Sequence, residues 1–201
     1  MFSGIVETTS PVLAADQGDN LLQIYVQRPP SFNDLVVGAS IAVDGVCLTV
    51  EEFDAGKIRF SLGPETLKIT GWLVGGVIGR VVNLERSLRL QDRIDGHLVT
   101  GHVDDTCEIK ELGRQSQTQQ MTLQLPVALR PYVWSKGSVT LNGVSLTVNA
   151  TDVQLFSVGL IPETLRRTNL GRLQAGDRVN LEVDNLARGL VHWARLQKES
   201  V

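Results

Sequence analysis

The stretch Ile41-Ala42-Val43-Asp44-Gly45-Val46-Cys47-Leu48-Thr49-Val50 returns as Val139-Thr140-Leu141-Asn142-Gly143-Val144-Ser145-Leu146-Thr147-Val148, 98 positions further on. Pro64-Glu65-Thr66-Leu67-Lys68 recurs as Pro162-Glu163-Thr164-Leu165-Arg166 at the same shift, and Val82-Asn83-Leu84-Glu85 as Val179-Asn180-Leu181-Glu182 at a shift of 97. The start, Phe2-Ser3-Gly4-Ile5-Val6-Glu7, is matched by Val99-Thr100-Gly101-His102-Val103-Asp104, again at 97. Anchors kept in one order at a nearly constant offset mean a duplicated unit. Solenoid repeats are far shorter, about 20–45 residues, whereas a unit of this length can own a small core. The sequence therefore divides into 1–96, 97–184 and a tail, 185–201.

Within each unit the pattern is mostly that of strands. Asp44-Gly45 and Asn142-Gly143 sit between alternating apolar residues, the pattern of a two-residue type I′ hairpin. Leu22–Val26, Lys57–Phe60, Met121–Leu125 and Gln154–Val158 alternate in the same way. Short strands between Gly, Asp and Asn turns predict an all-β fold, a small closed or Greek-key barrel in each unit. Past each turn, Val46, Leu48 and Val50 share one face with Cys47 and Thr49 on the other. Val144, Leu146 and Val148 likewise oppose Ser145 and Thr147. If the branched residues fill the barrel, each unit turns two small polar side chains outward, onto a surface another domain can cover. Pro64 and Pro162 each open a short helical turn. Only the tail, at about 185–198, has sustained helical spacing, with Leu186, Leu190, Trp193 and Ala194 on one stripe.

Charge and motifs narrow the function. Nineteen basic against 22 acidic residues give a net charge of −3 with no basic stripe, which disfavours nucleic acid or an anionic membrane as partner. No run approaches the roughly 20 apolar residues of a membrane helix, and the start lacks a targeting pattern. Two distant cysteines, Cys47 and Cys107, fit a reducing cytoplasm. His97 and His102 lie at the junction of the units, but their spacing matches no zinc pattern and no third ligand is specified, so no metal is expected. His102 occupies the place of Ile5 in the first copy, an asymmetry between otherwise matched sites. His192, on the tail, reads as a surface or packing residue. No GxGxxG, Walker A or GxSxG motif occurs.

An opening Met-Phe-x-Gly-Ile-Val, paired Asp/Asn-Gly-Val-Cys/Ser-Leu-Thr-Val hairpins, paired Pro-Glu-Thr-Leu segments and Gly96-His97-Leu98-Val99-Thr100-Gly101-His102-Val103-Asp104 between them resemble the riboflavin synthases of the alpha-chain type, over nearly the whole chain. The resemblance implies two six-stranded Greek-key barrels plus a C-terminal helix through which homotrimers assemble. It implies dismutation of two molecules of 6,7-dimethyl-8-ribityllumazine to riboflavin and 5-amino-6-ribitylaminouracil. No cofactor is used, and the reacting pair meets where the first barrel of one subunit faces the second barrel of its neighbour. An association with lumazine synthase belongs to the same expectation.

By position in that family, Gly4, Ile5, Val6, Cys47, Leu48, Thr49, Ser61, Leu62, Gly63, Pro64, Glu65 and Thr66 hold one lumazine. Gly101, His102, Val103, Lys136, Ser145, Leu146, Thr147, Gly159, Leu160, Ile161, Pro162, Glu163 and Thr164 hold the other. His102, Ser145, Thr147 and Cys47 are the candidates for proton transfer and nucleophile activation, with Asp184 as an orienting carboxylate. The apolar segment 71–80 departs from the family pattern that its counterpart 169–177 follows. Asp95 stands where glycine is common and Asn142 where many members carry aspartate. A lumazine or flavin carrier without turnover is the main alternative, disfavoured because both copies keep their motifs. A barrel-type flavin reductase is the second.

Overall fold

The computed structural model describes residues 1–18, 20–115 and 117–199. The first unit contains β1 (Thr8–Gln17), β2 (Leu22–Gln27), β3 (Ser40–Val43), β4 (Val46–Thr49), β5 (Glu52–Phe53), β6 (Lys57–Leu62) and β7 (Val81–Arg86), with α1 (Pro64–Thr70) and α2 (Val74–Val77) between the last two strands. The second contains β8 (Asp105–Gln115), β9 (Thr118–Gln124), β10 (Ser138–Leu141), β11 (Val144–Thr151), β12 (Leu155–Leu160), α3 (Pro162–Arg167) and β13 (Arg178–Val183). The tail is α4 (Asn185–Glu199), and residues 200 and 201 of the expected tail lie outside the described residues.

Every strand pairing is antiparallel. The second unit closes into a six-stranded barrel in the order β10-β11-β12-β9-β8-β13. The jumps from β9 to β10 and from β12 to β13 are Greek-key connections. The first unit repeats the order as β4-β3-β7-β1-β2-β6-β5. It counts seven strands because the strand matching β11 is broken into β4 and β5. At the break the chain stays tied to its neighbours through Val50 N–H to the Ala39 carbonyl at 2.8 Å and Glu51 N–H to the Arg59 carbonyl at 3.1 Å. In β11 the same place carries only a bulge, between Val148 and Ala150.

Both hairpin turns have the type I′ backbone: φ is 47° and 81° at Asp44 and Gly45, and 45° and 81° at Asn142 and Gly143. They are wholly buried, because they meet back to back. A Cβ on Gly45 would lie 2.7 Å from the Gly143 nitrogen, so glycine is needed there for space as well as for its positive φ. A polar lattice binds this junction. Asn83 N–H and Asn169 Nδ2 donate to Asp44 Oδ1, both at 2.8 Å, and Arg80 Nη2 reaches Asp44 Oδ2 at 3.0 Å. Asn83 Nδ2 donates to the Asn142 carbonyl, and Asn180 Nδ2 to the Asp44 carbonyl, each at 2.8 Å.

Each barrel has its own apolar core. Ile24, Ile41, Leu48, Phe60 and Leu84 are among the buried residues of the first, and Ile109, Met121, Leu146, Phe156 and Leu181 among those of the second. The lead-in segments cross over: Val6 packs in the second core and Val103 against the first. Phe2 and Val99 lie between them, exchanging backbone hydrogen bonds at 2.8 and 3.0 Å.

Candidate functional site

Strand alternation delivers the outward side chains as the sequence requires. Val46, Leu48 and Val50 are buried, Cys47 is half-buried and Thr49 exposed; Val144, Leu146 and Val148 are buried, with Ser145 half-buried and Thr147 exposed. What the outward face meets comes from the other unit. Cys47 N–H donates to the Gly101 carbonyl at 2.9 Å, and Ser145 N–H to the Gly4 carbonyl at 2.8 Å. Gly4 and Gly101 have φ of 75° and 81°, and a Cβ on Gly101 would stand 2.5 Å from that of Cys47. Glu85 holds the first lead-in loop by accepting from Ser3 N–H (2.7 Å), Ser3 Oγ (2.9 Å) and Gly4 N–H (3.1 Å). Glu182 holds the second in the same way, accepting from Thr100 N–H and Oγ1, both at 2.7 Å, and Gly101 N–H at 3.0 Å. Burial pushes both carboxyls above the usual range, and the donated hydrogen bonds oppose it.

Two cradles result, and their membership differs from the grouping expected from chain order. Gly101, His102 and Val103 stand with Cys47, Glu65 and Thr66, whereas the Gly4 loop stands against Ser145. The physical reason is the crossover of the lead-in segments, which no local pattern encodes. Leu48, Leu62, Leu146 and Leu160 bury their side chains in the barrels and offer only backbone to the outside, and Val6 does so too. Ser61, Gly63, Gly159 and Thr164 are half-buried, and Ile5, Pro64, Ile161 and Pro162 exposed.

The first cradle is a cavity of about 490 Å³, the size of an ordinary small-molecule site. Cys47, Thr66, His102, Asp104 and Arg188 are among its lining residues. A slightly larger groove of about 530 Å³ lies between β3, β7 and residues 87–95. There Arg86 is already paired with Glu7 and Asp34.

Over the second hairpin sits His97, which sequence reasoning weighed only as a metal ligand and did not place in the site. His97 Nδ1 stands 2.7 Å from Ser145 Oγ and its Nε2 3.2 Å from Thr140 Oγ1. A neutral imidazole donates at one of these and accepts at the other. Burial lowers the basicity of His97, and the charge of Asp184 opposes that shift. A Cβ on Gly96 would overlap the Ser3 carbonyl oxygen and crowd Ser145 Oγ at 2.8 Å, so the loop that carries the imidazole is pressed onto the strand. In the first unit the matching neighbourhood is apolar: Phe2, Ala42 and Val99 with Cys47. No repeat signal could have found His97, because a shift of 97 places its counterpart ahead of Met1.

Asp184 sits at the head of α4. Its Oδ1 accepts from Leu186 N–H at 2.9 Å and caps α4, leaving its charge to act on His97 at longer range. Lys136 adopts a φ of 71° where the first copy has Gly38 at 91°, and each donates its N–H at 2.8 Å to the equivalent carbonyl, of Val148 and Val50. A lysine there costs about 1–2 kcal/mol over glycine, and it places a cation one residue from the Thr147 end of the cradle. Glu163 is held by Arg166 and Arg167 at 2.7 and 2.8 Å, whereas Glu65 lines the cavity.

The lumazine binding domain family matches residues 3–87 and again 100–184. Riboflavin synthase of Chlamydia pneumoniae is 41% identical over 185 residues, spanning 92% of this chain and 90% of that protein. The chain belongs to the riboflavin synthase family. Riboflavin synthase of Escherichia coli is 38% identical over 95% of the chain and 90% of its own length, and that of Bacillus subtilis 32% over 100% and 93%. In fold, the chain is similar to a crystal structure of LumP complexed with 6,7-dimethyl-8-(1'-D-ribityl) lumazine, with a TM-score of 0.80 at 21% identity over 92% of this chain and 100% of that one. For riboflavin synthases the duplication is informative in itself: both matches include a hairpin, a lead-in loop and a Pro-Glu-Thr-Leu helix.

Proposed function

We propose that the protein is a riboflavin synthase that moves a four-carbon unit from one 6,7-dimethyl-8-ribityllumazine to another, releasing riboflavin and 5-amino-6-ribitylaminouracil. The observation that carries this reading is the survival of both cradles, each with its hairpin, crossed lead-in loop and Pro-Glu-Thr-Leu helix. A dismutation consumes two copies of one molecule and needs two sites for it, whereas a carrier needs only one.

Modest side chains suffice for this chemistry. The C7 methyl of the lumazine is acidic because its anion delocalises into the ring, so the protein has to orient two rings and handle protons. Orientation can supply about 7–11 kcal/mol in favourable cases. His97 beside Ser145 Oγ is a base–hydroxyl pair suited to activating a nucleophile toward C7, and His102 and Cys47 line the other cradle. Reaction requires the cradles to meet across copies. The apolar residues Leu186, Leu190, Trp193 and Leu196, which α4 leaves exposed, support assembly into a homotrimer that brings them together. The free thiols of Cys47 and Cys107 favour a cytoplasmic setting, and an association with lumazine synthase is part of the same proposal.

Mixing the purified protein with the lumazine and following flavin absorbance tests the reading. One riboflavin formed for every two lumazines consumed is the expected result. A tight complex that forms no riboflavin overturns it in favour of a carrier.

A further inference from the structure

Arg188 lies on α4, beyond both repeats, yet its side chain lines the first cradle together with Cys47, Glu65, His102 and Asp104. Its Nη2 donates to Asp104 Oδ1 at 2.7 Å, and Asp104 Oδ2 in turn accepts Val183 N–H at 2.9 Å, so the guanidinium is anchored from the barrel wall. Its Nε is buried and has no hydrogen-bond acceptor. A buried N–H left in that state is costly unless a ligand supplies the acceptor. Of the described residues lining the cavity, Arg188 alone carries a fixed positive charge, against the carboxylates of Glu65 and Asp104. An anion formed in a cavity holding only those two would be repelled from α1 and from the second lead-in loop alike.

We propose that Arg188 contacts the ligand of the Cys47–His102 cradle, its guanidinium holding the negative charge that a bound lumazine acquires on losing a proton from its C7 methyl. The inference rests on the reading of that cavity as a lumazine site. In this step the methyl C–H bond breaks, the proton passes to solvent, and the electron pair spreads through the ring onto the oxygens of its pyrimidinedione. Such oxygens are good acceptors for a charge-assisted N–H. The titratable and charged groups lining the cavity are Glu65 from α1, Asp104 and His102 from the second lead-in loop, Cys47 from β4 and Arg188 from α4. Arg188 follows the last repeated strand and lines the Cys47–His102 cradle, so replacing it acts on the lumazine bound there, while the second cradle keeps its own cation, Lys136.

The test is a pH titration of the lumazine-saturated full-length protein, read by the absorbance of the bound anion. In Arg188→Gln, half of the titration amplitude moves up by about one pH unit, a tenfold loss of acidity, and Arg188→Lys falls between that variant and the natural protein. An unmoved titration, even with altered sedimentation, reduces Arg188 to a strut for α4 and overturns the proposal. So does a shift of the whole amplitude, which would report a global change. If Arg188→Gln fails to fold, Asp104→Asn frees the guanidinium without removing it. The proposal then expects the anion to form at least as readily as in the natural protein, and a fall in acidity refutes it. Failure of the natural protein to bind lumazine at all would instead overturn the functional reading beneath it.

Discussion

Ser145 and Cys47 occupy equivalent positions on equivalent strands, but Ser145 alone has an imidazole 2.7 Å from its side chain. That contact makes the second cradle the better candidate for proton transfer. His97→Gln keeps a polar group near Ser145 Oγ and removes the titratable one. Riboflavin formation should fall by roughly 10²-fold, the lower end for a lost acid–base group, and an unchanged rate would remove His97 from the chemistry. Stability gives a second readout. Burial lowers the pKa of the folded imidazole below the ordinary value of about 6.5. Between those two values the unfolded chain binds more protons, so the natural protein loses stability as pH falls from about 6.5 through the folded pKa. Denaturant midpoints of the two proteins compared above and below that window should show this acid-side loss shrinking in His97→Gln. Parallel pH dependence would mean that the group titrates normally.

Among the elements, those with local chemistry were legible and those governed by register were not. The two hairpins follow from Asp-Gly and Asn-Gly, the helices α1 and α3 from their leading prolines, and α4 from its periodicity. The longest strands, β1 and β8, escaped because bulges between Val12 and Ala14 and between Ile109 and Glu111 shift the alternation midway, and Pro11 further disguises β1. The unusual segment 71–80 holds α2, one turn whose Gly75-Gly76 centre hides it from propensity. In α4 the buried side is accounted for: Ala187 is buried, Arg188 meets Asp104, and Arg195 stacks on Tyr132 at 5.7 Å. The opposite side is not, since Leu190 and Trp193 are 67% and 61% exposed. Replacing both by glutamate spares those intrachain contacts and removes two large apolar anchors from any assembly, each worth about 1.5–3 kcal/mol when covered. Sedimentation should then report a monomer with greatly reduced activity. An assembly that survives both charges would show that this face is not the contact.

Across the whole molecule, the units are joined by the polar lattice around the hairpin turns as well as by the crossed lead-in segments. Asp44 is the centre of the lattice, accepting from Asn83, Asn169 and Arg80 with no exposed surface. Asp44→Ala leaves those donors unpaired and should cost about 3–5 kcal/mol of stability, the range for breaking a buried pair. Asp44→Asn should cost less, because Asn142 fills the matching turn in the second copy. Urea midpoints measure both, and equal values would show that shape rather than acceptor capacity matters at this position. The two-unit plan could be read from the repeat, but this lattice could not, because Asn83, Asn142, Asn169 and Asn180 are polar residues whose partners lie 27 to 136 positions away.

The crossed lead-in loops carry one more consequence. Neither barrel, severed from its twin, retains a whole binding surface, since each borrows a loop from the other. Residues 87–98, which tether the pair, turn what would otherwise be a concentration-dependent encounter between two polypeptides into docking within a single one. Loop exchange is thus settled during folding, and dilution can undo only contacts between separate chains.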